Sequence, residues 1–431
     1  MTLEFVNHSS FIVKHNDISI MCDPWIEGRI FNNGWDLLSK TKFSYEDFKN
    51  IQYIWFSHEH PDHFYPPNIK KIPIEYRQNI TILFQETIDG RVTEFCEKAG
   101  FKAVIEMKKG KYYDLGKDFK ILCEHFSEGD SWIVYKTKDL TILNTNDCGI
   151  RNFNESEYIK KIVGKVDILL TQFSYAYWAG NKDDKPYREK IAKDKLRYMK
   201  LQVDAFNPSV TIPIASYVYF CHEENFYLND SINTARTTYN FLKENTSTKP
   251  VILYNGDTYS FNEKWNSEQS IQLYEQDFNF VKTHPELLEK NHPVELEEII
   301  KLANDFCKNL IETNPFWIKY ILKPTYIHIV DLNQTFELNL QNGLIKKKLE
   351  FNTCDVSLSS ESLAFCFKFP YGLDTTQING RIQKPIKGTY VRFYNFFRID
   401  QQKSRGQNLT IGYVLSSINR KVKIKMGLMK A

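Results

Sequence analysis

The most informative stretch of this chain is His58-Glu59-His60-Pro61-Asp62-His63. It follows the apolar run 51–56, which predicts a buried strand, and it precedes a turn rich in proline. The first two histidines are two residues apart, so they point the same way from an extended segment. The aspartate and the last histidine continue into the turn and can face a second ion. Imidazole nitrogen and carboxylate oxygen suit zinc, iron and manganese, so the stretch predicts a site for two metal ions.

Length and composition predict an ordinary globular protein with more than one domain. The chain has 431 residues, and we predict a first domain over 1–260 and a second over 261–431. A formal net charge of +3 is too small to favour nucleic acid as a partner. No apolar run is long enough to span a bilayer, and the N-terminus lacks a signal-peptide pattern, so we expect a cytoplasmic protein that acts away from membranes.

The eight cysteines predict reduced, buried thiols, because no pair has the spacing Cys-x-x-Cys. One Cys-x-His occurs, at Cys123-Glu124-His125. A Rieske iron–sulfur site needs two cysteines and two histidines, and no Cys-x-x-His segment follows the first pair. We therefore predict no Rieske site in these residues.

The order of apolar runs predicts an α/β layered first domain, followed by an α+β second domain. The charged segment Lys185–Gln202 has helical spacing. In the second domain, Asn342-Gly343 predicts a hairpin turn between alternating strands. We also expect strands over Tyr390–Phe397 and Leu409–Val414.

Three later residues complete a candidate two-metal site: His125, Asp147 and His222. Each follows a strand-like segment, so all three can gather at one edge of a sheet. Asp147 is suited to bridging two ions because a carboxylate has two oxygens. Each residue alone is equally well explained as a loop or cap residue. His8 is another open case, since it fits either a neighbour of a ligand or a satisfied core histidine.

The motif, together with the later histidines and aspartate, resembles the metallo-β-lactamase superfamily. That resemblance implies an αββα sandwich with two metal ions at the edge of its central sheets. It implies these ligands: His58, His60 and His125 for the first metal, Asp62, His63 and His222 for the second, and Asp147 as the bridge between them.

A narrower resemblance points to the metallo-β-lactamase-like part of the CMP-N-acetylneuraminate hydroxylase group. It is carried over residues 1–260 by Asp23-Pro-Trp25 with Gly34-Trp35, by 143–148 and by 208–222. The later segments 331–336 and 369–381 are similar to a sterol-carrier-like α+β domain.

Three functions compete. The narrower resemblance implies a diiron oxygenase that oxidises a small polar, sugar- or nucleotide-linked substrate, with O₂ as co-substrate and a separate ferredoxin or reductase as electron donor. The alternative is a zinc or manganese hydrolase of esters, lactones or phosphodiesters. Its two ions would lower the pKa of a bridging water that Asp62 or Asp147 orients. The third is a non-enzymatic, substrate-binding or scaffold protein with a degenerate fold. The residues alone leave open the metal, the substrate, the oligomeric state and the role of the second domain.

Overall fold

The computed structural model describes residues 1–126, 129–385 and 387–404. Proximity of Cα atoms divides the chain into two compact units. The first contains Met1–Ala179, Asp184–His222 and Phe226–Glu289, and the second contains Gly180–Asp183, Glu223–Asn225 and the chain from Lys290 onward. This grouping extends the first unit beyond residue 260. Whether 1–260 folds by itself stays a prediction.

The strands of the first unit are short and mostly buried. They are β1 Thr2–Asn7, β2 Ser10–His15, β3 Ile18–Cys22, β4 Trp35–Leu37, β5 Tyr53–Phe56, β6 Thr81–Gln85, β7 Ala103–Met107, β8 Tyr113–Asp114, β9 Lys120–His125, β10 Ser131–Lys136, β11 Thr141–Asn144, β12 Ile168–Gln172, β13 Val210–Ile214, β14 Val218–Phe220, β15 Lys249–Pro250 and β16 Thr258–Ser260.

Within the described residues these strands form two sheets of seven, and β4 pairs with β14 separately. The first sheet has the order β16-β1-β2-β3-β5-β6-β7, and the second has the order β15-β13-β12-β11-β10-β9-β8. Neighbours from β3 to β7 in the first sheet run parallel, as do those from β11 to β15 in the second. The carboxyl ends of each parallel set therefore lie at one edge of its sheet.

The helices of the first unit are α1 Pro66–Lys71, α2 Ile74–Arg77, α3 Arg91–Lys98, α4 Phe153–Val163, α5 Lys185–Phe206, α6 Ala235–Asn245 and α7 Ser267–Thr283. Short 3₁₀ turns cover Tyr45–Asn50, Phe226–Asp230 and Pro285–Leu287. The charged segment predicted to be helical is confirmed as α5.

Strand β5 shows why the sheets form a sandwich. Its side chains alternate between two apolar clusters, since successive residues of a strand face opposite sides. Ile54 and Phe56 lie in the cluster on the outer face, beneath α1 and α3. Trp55 lies in the cluster between the sheets, where its indole Nε1 donates to Cys123 Sγ at 3.4 Å. Helices α4, α5 and α6 contribute apolar side chains to the cluster of the second sheet. The predicted αββα sandwich is confirmed.

The second unit has its own α+β core, in agreement with the predicted class. Its strands are β17 Thr325–Ile329, β18 Gln334–Asn339, β19 Gly343–Lys347 and β20 Val356–Leu358, paired in the order β19-β18-β17-β20. Its helices are α8 Leu296–Thr313, α9 Ile318–Ile321, α10 Ser360–Lys368, α11 Gly372–Asn379 and α12 Tyr390–Ser404, and a 3₁₀ turn covers Phe351–Thr353. Likeness to a sterol carrier stays a prediction. No described helix is both long enough and apolar enough to cross a lipid bilayer.

Two strand predictions in the second unit have different outcomes. The strand over Tyr390–Phe397 is wrong, because this segment begins helix α12. Phe393, Phe396 and Phe397 are buried there, and their spacing places them on one face of a helix. The strand over Leu409–Val414 lies outside the described residues.

Candidate metal centre

The histidine motif begins where β5 ends and is tied to its parallel neighbour β3. Ser57 follows β5, and its backbone N–H donates to Asp23 Oδ1 at 2.7 Å. Its hydroxyl donates to Asp23 Oδ2 at 2.8 Å. Asp23 directly follows β3, so two parallel strand ends are joined by a buried carboxylate. This fixes the backbone from which His58 departs.

A tight turn then brings the later residues of the motif back toward its start. The backbone N–H groups of His63 and Phe64 both donate to the carbonyl of His60, at 2.9 and 2.7 Å. As a result the rings of His58 and His63 lie 4.1 Å apart, centroid to centroid. Both rings are buried.

Two groups of potential ligands meet at His63. The first contains His58, His63 and Asp147, and the second contains His8, Asp62 and His63. Within each group the ligand atoms lie within 4.8 Å of one another. Ligands bound at about 2.1 Å around one ion are separated by about 3–4 Å, so each group is close to the spacing that an ion requires. The shared histidine makes the cluster continuous.

The distances around Asp62 show how this cluster would accept a cation. Asp62 Oδ2 lies 3.1 Å from His63 Nε2 and 3.4 Å from His8 Nε2. Asp62 Oδ1 is buried and has no hydrogen-bond partner among the described residues. A buried carboxylate oxygen without a partner is costly, and a metal ion would satisfy it. The residues therefore fit a bound metal.

Asp23 sets the orientation of the central histidine. His63 Nδ1 lies 2.8 Å from Asp23 Oδ2, and Asn146 Nδ2 donates to the same oxygen at 2.6 Å. A carboxylate can only accept, so Nδ1 carries the hydrogen and Nε2 faces Asp62 and Asp147. Histidine ligands of metals commonly have such a carboxylate partner.

Burial and charge shift the pKa values of the cluster in opposite directions. Burial, with a smaller effect from the His63 cation, lowers the pKa of His58 to about 4. Burial alone would also lower the pKa of His63, but the carboxylates of Asp62, Asp147 and Asp23 raise it well above the usual range. Burial opposes ionisation of Asp62, yet His63 and His8 together outweigh it and hold the pKa of Asp62 well below the usual range. His58 is therefore neutral near pH 7, as a metal ligand must be.

The other predicted ligands lie outside the two close groups, and their roles as ligands stay predictions. His60 Nδ1 lies 2.8 Å from His58 Nε2 at the border of the cluster. His125 ends β9, is exposed, and has Nδ1 at 2.9 Å from Gln85 Oε1. His222 is buried shortly after β14. His125 and His222 belong to neither close group in the described part of the chain.

Sequence reasoning missed Asp23 as a partner of the site and left His8 undecided. The position of Asp23 directly after a strand was a usable signal for this role. His8 sits at the turn between β1 and β2 with a φ of 44°, a left-handed conformation that few side chains adopt. Nothing in the sequence showed that this turn closes over Asp62.

Asp147 lies at the more open side of the cluster. Its side chain is 22% exposed, whereas that of Asp62 is 4% exposed. Asp147 Oδ2 lies 3.5 Å from His63 Nε2, and Asp147 Oδ1 accepts from Gln172 Nε2 at 3.2 Å. Gln172 in turn accepts a hydrogen bond from Lys195.

Comparison with known proteins relates the first unit to one superfamily. Residues 2–191 match the family model described as the beta-lactamase superfamily domain, and this range contains every predicted ligand except His222. The chain is 26% identical over 260 residues to the cytidine monophosphate-N-acetylneuraminic acid hydroxylase of Xenopus laevis, covering 56% of this chain and 43% of that protein. It is 24% identical over 250 residues to a putative Rieske 2Fe-2S iron-sulfur protein of Mycolicibacterium smegmatis, covering 53% of this chain and 46% of that protein.

The chain thus spans less than half the length of either curated relative. Among solved structures, it is similar to CmlA, a diiron beta-hydroxylase from Streptomyces venezuelae, with a TM-score of 0.43 and 12% identity. That match covers 60% of this chain and 54% of the other.

Proposed function

We propose that this chain, whose first unit has the metallo-β-lactamase fold, is a non-haem diiron oxygenase that hydroxylates a small polar substrate. The observation that carries the proposal is the buried cluster around His63, which has an unpartnered carboxylate oxygen on Asp62. The relative named as a hydroxylase, at 26% identity, favours oxidation over other chemistry. Its name also supports a sugar- or nucleotide-linked substrate.

The residues that would hold the ions are His58, His63, Asp62 and Asp147, with His60 at the border and His8 beside Asp62. Two iron ions bound there would supply the activation of O₂ that oxidation of a C–H bond requires. His125 and His222 remain proposed ligands from the sequence resemblance. Asp62 and Asp147 are also the proposed catalytic residues.

The protein's own contribution is to orient the ligands and exclude water. Asp23 holds His63 with Nε2 toward the cluster, and Gln172 holds one oxygen of Asp147. His58, Asp62 and His63 are buried, so solvent is kept from that side. Asp147 is more exposed, and the substrate in this proposal approaches from its side.

Oxidation of this kind consumes electrons, and the proposal includes their source. The electrons in this proposal come from a separate ferredoxin or reductase. The relative named as a putative Rieske iron-sulfur protein supports an electron carrier of this class as the first donor to test.

A second candidate is a zinc or manganese hydrolase, supported by the match to the beta-lactamase superfamily domain. The same nitrogen and oxygen ligands accept either metal. Two such ions lower the pKa of bound water, and Asp62 or Asp147 would orient that water toward an ester, lactone or phosphodiester.

Metal content tests both candidates. Protein produced in iron-supplemented medium and purified without O₂ is expected to contain about two irons per chain, with an optical spectrum that changes on exposure to O₂. His60→Ala and Asp147→Ala are expected to lose metal while retaining the fold, and His15→Ala, outside the cluster, is expected to behave as wild type. Two zinc ions without any response to O₂ would favour the hydrolase. Normal metal content in both cluster variants would contradict the site itself.

A further inference from the structure

We propose that Lys195 and Gln172 position the Asp147 carboxylate for metal binding, and that both are positioning residues of the centre. The inference rests on the proposed function, because it takes Asp147 to be a metal ligand. It adds two residues that the sequence did not indicate, on β12 and α5.

The contacts form a short chain across the second sheet. Asp147 follows β11, and Gln172 is the last residue of the parallel neighbour β12. Gln172 Nε2 donates to Asp147 Oδ1 at 3.2 Å, and Gln172 Oε1 accepts from Lys195 Nζ on helix α5. Gln172 Nε2 also donates to the carbonyl of Ala215 at 3.4 Å, just after β13.

These partners determine which way the amide of Gln172 points. An ammonium group can only donate, so the atom that faces Lys195 must be the amide oxygen. A carbonyl can only accept, so the atom that faces Ala215 must be the amide nitrogen. The nitrogen therefore donates to Asp147 as well, and the amide oxygen and both N–H groups of the amide find matching partners. A flipped amide would place oxygen against two acceptors.

This arrangement restricts the orientation of the Asp147 carboxylate. A hydrogen bond to Oδ1 restricts rotation of the carboxylate and leaves Oδ2 facing His63 Nε2 at 3.5 Å. The positive charge of Lys195 polarises the amide of Gln172, which strengthens its nitrogen as a donor. Lys195 thus acts on the ligand through one intermediate side chain.

The surroundings of Lys195 argue against a purely structural role. No carboxylate lies within 4.0 Å of its Nζ among the residues that the structure describes, and its neighbours are the Gln172 oxygen and the ring of Tyr177, 5.8 Å from Nζ. Burial lowers the pKa of Lys195 to about 8, although Asp147 acts in the opposite direction. A partly buried ammonium group without an ion-pair partner makes little contribution to the stability of the fold. Its placement near Asp147 is more readily explained by the metal centre.

The test measures metal affinity in place of activity. Metal-free protein is titrated with Co²⁺ alone, in competition with a chromophoric chelator, and the visible spectrum of bound Co²⁺ is recorded. Gln172→Leu and Lys195→Met are expected to weaken the binding of at least one of the two Co²⁺ ions about tenfold. That is the usual effect of removing a hydrogen-bond partner of a metal ligand. The Co²⁺ spectrum is expected to change in both variants.

Two further variants separate this effect from general damage. Lys193→Met removes an exposed lysine from the same helix and is expected to match wild type. Lys195→Arg keeps a cation that can only donate, and is expected to bind within about threefold of wild type. Circular dichroism confirms that each variant is folded before titration.

The possible failures are distinguishable. If wild type binds two Co²⁺ ions and Gln172→Leu and Lys195→Met bind them as tightly as Lys193→Met does, the positioning role is overturned and the metal site stands. If folded wild-type protein binds no Co²⁺, the proposed function is overturned and this inference with it.

Discussion

At the scale of single residues, one buried carboxylate organises the candidate centre without facing the metal positions. Asp23 accepts hydrogen bonds from the backbone and hydroxyl of Ser57, from Asn146 and from His63. Its side chain is fully buried. Such a carboxylate is stable only because donors surround it, so it is sensitive to any change in its hydrogen-bonding capacity.

Asp23→Asn keeps the shape of the side chain but replaces one acceptor oxygen with a donor. That NH₂ group would face a neighbour that also donates, so a buried hydrogen bond is lost and the charge that faces His63 disappears. We expect the free energy of unfolding to fall by about 2–3 kcal/mol. Urea unfolding of the metal-free protein measures this. Asp17→Asn, on the exposed turn between β2 and β3, serves as control, and equal stability of the two variants would contradict the organising role of Asp23.

The sequence predicted the chemistry of the site better than it predicted which residues form the site. Asp62 and His63 lie together because six adjacent residues must share one turn, and a local pattern is enough to predict that. His8 reaches the same place from the turn between β1 and β2, which lies at the same edge of the sheet through a register that only the folded chain determines. For the same reason the sequence could not distinguish the exposed His125 from a buried ligand.

At the scale of elements, helix α5 shows how a correct assignment can hide a functional side chain. Its charged sequence predicts a solvated helix, and most of its lysines are indeed exposed or only partly buried. Lys195 differs because its position on the helix directs it to Gln172. Charge alone does not reveal which lysine of the helix makes this contact.

The depressed pKa of Lys195 gives a pH dependence of known sign. The unfolded chain keeps this proton up to about pH 10.4, whereas the folded chain releases it near pH 8. Between these values the unfolded state binds more protons, so stability increases with pH. We expect the unfolding free energy of wild type, measured against Lys195→Met, to increase from pH 8 to pH 10 by about 2 kcal/mol. A difference that stays constant over this interval would contradict the burial of Lys195.

Helix α12 shows where the pattern was interpreted wrongly. Its aromatic residues have high strand propensity, which favoured a strand over Tyr390–Phe397. The positions that are buried, Phe393, Phe396, Phe397 and Ile399, follow the three-to-four spacing of a helix more closely than the alternation of a strand. Periodicity was therefore the better guide than composition in this segment.

At the scale of the whole molecule, the extent of the first unit depends on helix α7. This helix lies beyond residue 260, but Ile271, Tyr274, Phe278 and Val281 are buried in the main apolar cluster of the sandwich. The ring of Tyr274 packs edge-on against Tyr217, with centroids 5.4 Å apart. The composition changes near residue 260, whereas the packing of the first unit continues to Glu289.

Truncation at two positions tests this difference. Removing α7 would take four large apolar side chains out of the cluster and expose the surface of the sandwich that they cover, a loss of about 1.5–3 kcal/mol of burial for each. Their sum is comparable with the total stability of a typical domain, about 5–15 kcal/mol. We therefore expect a 1–260 fragment to aggregate, and a 1–289 fragment, which keeps α7, to remain in solution with a cooperative thermal transition. Size-exclusion chromatography and circular dichroism compare the two fragments. A monomeric and cooperatively folded 1–260 fragment would mean that α7 is dispensable and that the first unit ends where the composition of the chain changes.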